Sequence, residues 1–440
     1  MASSLLPLVP VAVSVLLLTV LVAWARVQPF IAFVVATLAA AFMSGMPFAD
    51  MAKSLEHGIG DTMGSLAVIV CLGAVYGKLI SDSGAAQRIA ISLVKLFGSK
   101  RMALAMTLTG FIVGIPLFYN VGFVLMVPLI FSLVYQSGRP AVALGIPLLA
   151  GLSIAHGFLP PHPSPTALVQ QFHADLGLTL IYGLIVGIPT LIIAGPVFAL
   201  TLKGIKADPP RLFEVDPLPE AALPGTLISF LAALLPVILL AAATGASCLP
   251  LGSAAPVVAF AGSPMVVMLA AYVLAILVLG VLRGKSLPTV LAPSEQALRD
   301  IAPILLIIAG AGALKQVFVD SGISGHLGQL LAAVPLPPLV LGWGVAMVVR
   351  ICLGSATVAG LTAAGLVAPL VATGRVDPNL MVLAIGAGSL MCSHVNDSGF
   401  WMFKQYFGLS LKDTFRSWSL METLVGLVGL LLTLGLSAVV

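Results

Sequence analysis

The chain has 440 residues, 60% of them hydrophobic and 8% charged, with a mean hydropathy of +1.16 and a formal net charge of +4. An ordinary soluble domain carries about 25% charged residues, and no soluble core hides this much apolar surface, so lipid is the solvent for most of it. The basic residues stand singly or in small groups between apolar segments, which excludes a nucleic-acid surface and suits lipid headgroups.

The N-terminal stretch MASSLLPLVPVAVSVLLLTVLVAW has no positive leading segment and is long enough to span, so it reads as a retained first helix rather than a cleaved signal. A helix crossing the hydrocarbon core needs about 20 apolar residues. Spans are expected at 5–24, 29–48, 63–81, 141–160, 177–202, 225–245, 263–283, 301–319, 378–394 and 419–438. Residues 102–136 and 336–373 are long and apolar but interrupted, at GIPLFYNVG and GSATVAG, and each reads as two spans or one re-entrant hairpin. Segments 82–100 and 320–334 read as amphipathic surface helices, and 203–224 and 284–300 as polar connectors. Cys71, Cys248, Cys352 and Cys392 show no CxxC spacing and read as inert thiols, without a metal site or disulfide framework.

The Pro- and acid-rich segment 203–224 falls near the middle of the chain and divides two similar halves. Asp82-Ser83-Gly84 recurs as Asp320-Ser321-Gly322, each after an apolar helix and before a surface helix and an interrupted apolar region. Arg88, Lys95, Lys100 and Arg101 follow the first copy, whereas no Lys or Arg follows the second until Arg350. By the positive-inside rule the two copies are inverted, with both termini outside. The expected fold is an all-α polytopic membrane protein of about ten full spans plus two re-entrant hairpins, with broken helices. Its divisions are 1–62 (N-terminal helices), 63–202 (first repeat), 203–224 (cytoplasmic linker), 225–300 (linking and scaffold helices) and 301–440 (second repeat).

Four breaks carry the candidate chemistry, because exposed N–H groups at mid-membrane helix ends suit an anion. The interrupted regions offer Tyr119 and Asn120 in the first copy and Ser355 and Thr357 in the second. AHGFLPPHPSPTA, with His156, His162, Ser164 and Thr166 among four prolines, cannot stay a regular helix. Its counterpart CSHVNDSGFW, with Ser393, His394, Asn396, Asp397 and Ser398, favours a turn. For any single Ser or Thr, packing is the favoured explanation. His173 and His326 read as interfacial, Lys78 and Lys315 as snorkelling side chains near helix ends, and Asp82 and Asp320 as caps of the surface helices. Asp397 and His394 form an ionisable pair at membrane depth, which is a functional signal, and are assigned to proton coupling.

IPLFYNVGFVLMVPL, HGFLPPHPSPTA and SHVNDSGFWMFKQYFGLSLKDTFRSWSLMET together resemble the gluconate permease (gluconate:proton symporter) family of the ion-transporter superfamily, and the likeness covers nearly the whole chain. The resemblance implies proton-coupled uptake of a sugar acid across a bacterial inner membrane, inverted repeats with re-entrant hairpins, an elevator-type motion and a homodimer. Many members of that family carry an acidic residue where this chain has Asn120, which shifts coupling toward Asp397 or a histidine.

The resulting expectation is a transporter without cofactor or metal. Its anion binds through Tyr119, Asn120, His156, His162, Ser164, Ser355, Thr357, Asn396 and Ser398. Gluconate, other aldonates, glycerate and keto-sugar acids all share the required carboxylate beside hydroxyls. The alternatives are a sodium-coupled carboxylate carrier, which would hold its ion through backbone carbonyls, and a passive pore. A membrane enzyme lacks support, since no HExxH or GxSxG is present.

Overall fold

The computed structural model describes residues 9–205, 207, 218–247, 252–324, 326, 334–395 and 397–440. Asn396, Cys248, most of the central linker and residues 327–333 of the second expected surface helix lie outside them. Among the described residues every regular element is helical. Seven helical stretches are long and apolar enough to cross a membrane, from Phe48–Asp82 to Leu411–Leu436, and shorter apolar helices fill the space between them.

The first half runs through α1 (Val9–Thr19, continued by a π turn to Trp24), α2 (Pro29–Met43), α3 (Phe48–Asp82) and α4 (Ala85–Phe97). Then follow α5 (Met102–Gly114), α6 (Tyr119–Ser137), α7 (Ala141–Phe158), α8 (Pro163–Phe172) and α9 (Leu176–Ile192). After the linker come α10 (Thr226–Ser247), α11 (Ala255–Ala261), α12 (Pro264–Leu279), α13 (Leu287–Leu291) and α14 (Ser294–Asp320). The chain closes with α15 (Pro338–Leu353), α16 (Ala356–Ala372), α17 (Pro378–Leu390), α18 (Ser398–Tyr406), α19 (Leu411–Thr414) and α20 (Leu420–Leu436).

Helices α3 and α14 begin earlier than their hydropathy announces. The segment 49–62 is polar but contains no proline, so α3 runs unbroken for 35 residues, and Ser294–Asp300, placed in a connector by composition, opens α14. The two helices pack along much of their length. A Cβ on Gly58 would lie 2.6 Å from the Gly312 carbonyl oxygen, and one on Gly312 would lie 2.7 Å from that of Gly58. Small residues permit the close backbone approach that membrane helices use in place of a hydrophobic driving force. The same device joins α5 to α7, where a Cβ on Gly110 would reach 1.9 Å from the Leu148 oxygen.

Both α3 and α14 end at Asp-Ser-Gly, with Gly84 and Gly322 at φ +79° and +77°. A left-handed glycine after the last turn ends a helix without Cβ strain. Asp82 is not the cap of the following helix: α4 has Gly84 at its N-cap and no side-chain cap bond. Asp82 instead pairs with Lys78 at 2.9 Å, one turn back, and Asp320 accepts from Ser54 at 2.6 Å and Gln316 at 2.9 Å. Lys315 turns inward and donates to the Gln171 carbonyl at 3.2 Å, so it does not snorkel.

The order of elements recurs in the two halves. A helix–break–helix unit (α5–α6, α15–α16) precedes a helix that breaks and resumes (α7–α8, α17–α18). The arms of the units hold 13 and 19 residues in the first and 16 and 17 in the second, about 20–28 Å of helix against a hydrocarbon core of about 30 Å. The apolar interior forms two clusters. One gathers around α1–α3 and α14, and the larger joins α4–α10, α12 and α15–α20.

Candidate functional site

A cavity of about 590 Å³ opens where the breaks meet. Its wall takes in the N-termini of α6, α16 and α18, the second half of α7, the C-terminal turn of α15 and the start of α20. The first-turn N–H groups of a helix have no carbonyl partner within it, and its dipole is positive at that end. Local sequence dictates each break. At the tip of the second unit, Gly354 (φ +75°) ends α15 and Ser355 restarts α16, its hydroxyl accepting from the Val358 N–H. At α18, Asp397 is the N-cap and accepts from the Gly399 N–H at 2.9 Å. In α8, proline at the first helical position and His162 at the N-cap restart the helix.

Of the sequence-selected residues, Tyr119, Asn120, His156, Ser355, Thr357, Asp397 and Ser398 line this cavity. His162 and Ser164 do not: both are buried behind it, His162 with Nε2 at 2.7 Å from the Gly114 carbonyl. Ser164 faces Gly360 on α16, where a Cβ would come 3.0 Å from its hydroxyl. Asn396 lies outside the described residues. The expected side-chain pairing of His394 with Asp397 is not made. His394 turns Nε2 to the Ile351 carbonyl at 3.1 Å, while its own carbonyl accepts the Asp397 N–H in the turn.

Asp397 pairs with Arg350, whose Nη2 donates to Oδ2 at 2.5 Å. Arg350 is 3% exposed and also donates to the Gly354 carbonyl, stitching the tip of α15 to the start of α18. Ser393 donates to the same Asp397 oxygen, and its hydroxyl accepts from Trp418 Nε1 at 2.8 Å. Also in the wall, Glu422, 2% exposed on the first turn of α20, accepts from Ser153 at 2.5 Å through Oε1. Its Oε2 has no partner, and the Tyr119 hydroxyl and His156 Nδ1 likewise find none. The rings of Tyr119, His156 and Trp418 pack together, with centroids 5.9–6.2 Å apart around Tyr119.

Arg350, Glu422 and Ser153 were not selected from the sequence. Arg350 and Ser153 are lone polar residues in apolar runs and Glu422 follows a polar turn at the start of the last span; for Arg350 and Glu422 the signal is present, since an ionisable residue at membrane depth marks function. Arg350 served only as a marker of loop charge, and Glu422 lay at the edge of the last span.

The arrangement sets beside the cavity a guanidinium, itself paired with Asp397, and three helix N-termini, two of them capped by Ser355 and Asp397, together with unpartnered polar atoms on Tyr119, His156 and Glu422. Among the described residues no group of three or more His, Cys, Asp or Glu could hold a metal ion. The sequence matches the GntP family permease over residues 6–440. It is 46% identical to the high-affinity gluconate transporter of Escherichia coli K12, covering 97% of this chain and 99% of that protein. It is 45% identical to the Gnt-II system L-idonate transporter of the same organism, over 99% and 100%, and 42% identical to the gluconate permease of Bacillus subtilis 168, over 99% and 100%. The solved structure of the Alcanivorax borkumensis YdaH transporter, reported to have an unusual topology, shares the fold at 18% identity and TM-score 0.64, covering 93% of this chain and 98% of that one. These apolar spans and relatives describe a multi-pass transporter of the bacterial cytoplasmic membrane rather than an enzyme. The chain belongs to the GntP family of permeases.

Proposed function

We propose that this permease takes up gluconate or a closely related sugar acid together with protons. The observation that carries the reading is the convergence of a buried Arg350 and the N-termini of α6, α16 and α18 on one cavity. A monovalent sugar acid presents a carboxylate at one end and hydroxyls along the rest. The guanidinium and helix ends suit the first, and Tyr119, Asn120, Ser355, Thr357 and Ser398 suit the second. The volume of about 590 Å³ lies within the roughly 300–1,000 Å³ common for small-molecule sites. The relatives named for gluconate and L-idonate support the substrate class.

The recurrence of break positions in the two halves supports an inverted-repeat carrier, in which the broken helices of each half flank a shared central site. Purified protein in vesicles tests the reading. An inward proton gradient drives labelled gluconate above its equilibrium level, unlabelled idonate competes, and an uncoupler abolishes accumulation. Accumulation driven only by a sodium gradient, or mere equilibration, overturns proton coupling.

A further inference from the structure

The two carboxylates of the cavity differ in what surrounds them. Asp397 is fully engaged: Oδ1 caps α18 through the Gly399 N–H, and Oδ2 takes both Arg350 and Ser393. Removing charge there breaks an ion pair, a helix cap and the link to the α15 tip at once. Glu422 is the more deeply buried of the two but has one hydrogen bond, from Ser153 to Oε1, and no cation bound to it, and its Oε2 is unpartnered at the cavity wall. A buried carboxylate in that position lacks compensation, whereas a carboxylic acid there has a free O–H to direct into the cavity.

The groups that face Glu422 come from each neighbouring helix. Ser153 and His156 lie on α7, Tyr119 on α6, Arg350 at the end of α15 and Asp397 at the start of α18. Helix α17 brings no titratable side chain, α9 brings only Tyr182, which faces Asp377, and Arg416 on the preceding turn is exposed. Resting on the proton-symport reading above, we infer that Glu422 carries the coupled proton, on the oxygen Ser153 leaves free, and that Asp397 is a positioning residue that holds the tip of the second unit against α18.

The coupling follows from charge. A sugar acid entering this cavity brings a negative charge beside Glu422, so a proton on Glu422 removes a like-charge repulsion and each ligand favours the other. Tyr119 and His156, both with unpartnered polar atoms, line the same cavity as the carboxyl.

The test measures gluconate affinity against pH on purified protein, through the fluorescence of Trp401 and Trp418 in the cavity wall. Binding linked to one proton weakens by about tenfold per pH unit once that proton is lost in the free protein. The wild-type protein should show this slope and Glu422→Gln should lose it, binding with nearly the same affinity across the range. Glu422→Asp should restore the slope. A Glu422→Gln profile parallel to the wild type overturns the assignment. Failure of a monodisperse Glu422→Gln protein to bind at any pH also overturns it, because the residue is then a ligand contact. If the wild-type protein itself has a flat profile and shows no proton-driven accumulation, proton symport fails, and that result is distinct from either of the others.

Discussion

Arg350 and Asp397, 2.5 Å apart, join the tip of one interrupted helix pair to the break in the next helix. The pair is enclosed by protein, with side chains 3% and 14% exposed, and both partners make further hydrogen bonds. Charges held this way contribute little net stability as a pair, but removing one strands the other.

Arg350→Ala and Asp397→Ala should therefore each destabilise the purified protein by about 3–5 kcal/mol, while the double variant recovers part of the loss. Thermal unfolding in detergent, analysed as a double-mutant cycle, checks this. Additive losses would show that the two side chains act independently.

Tyr119→Phe separates binding from folding. The hydroxyl makes no protein hydrogen bond of standard geometry and has the Ser153 side chain beside it, so its removal should leave the ligand-free melting temperature nearly unchanged. If the hydroxyl meets a sugar-acid oxygen, gluconate affinity falls by about 0.5–1.5 kcal/mol, roughly two- to tenfold, in the same fluorescence titration. Unchanged affinity would remove Tyr119 from the binding set.

Close approach of α5 and α7 predicts a contrast between two glycines. Gly110→Ala places a Cβ 1.9 Å from the Leu148 oxygen, so the helices separate at a cost of about 1–3 kcal/mol. Gly344→Ala meets no atom within 4 Å and gains helix propensity, so its melting temperature holds or rises. Equal melting temperatures for the two variants would contradict the packing.

The end of the linker is clasped to surface helix α4 by charge. Lys95 lies 2.6 Å from Glu220 and Arg88 lies 3.2 Å away, and Lys95 foremost holds the Glu220 carboxyl below its ordinary value of 4.5. The contribution of this contact is complete above that ordinary value and is lost as pH falls through the lower folded value. Protection factors over 218–224, taken relative to the intrinsic exchange rate at each pH, should fall in that acidic window and at high salt, and Lys95→Ala should weaken the dependence on both. Protection indifferent to pH and salt would show that hydrogen bonds to backbone carbonyls, such as the one Arg88 Nε donates to Pro224 at 2.8 Å, hold the segment without the Glu220 pair.

The sequence by itself determined the solvent, the helical class and where the helices break. Backbone polar groups in hydrocarbon have to be satisfied within the segment, and Gly354, the prolines from Pro160 to Pro165 and Asp397 are local instructions that any fold has to obey. The family resemblance was legible for the same reason, since its motifs coincide with those breaks. What the sequence did not decide was which polar groups meet. Hydropathy divided α3 and α14 at their polar first turns, because a window of residues cannot register the partner helix that makes those turns worthwhile. Nearness in sequence paired His394 with Asp397, whereas tertiary packing brought Arg350 to that carboxylate from 47 residues away and set Glu422 against Ser153 across 269 residues. Partners for a buried charge are chosen by space, and only the packed helices define that space.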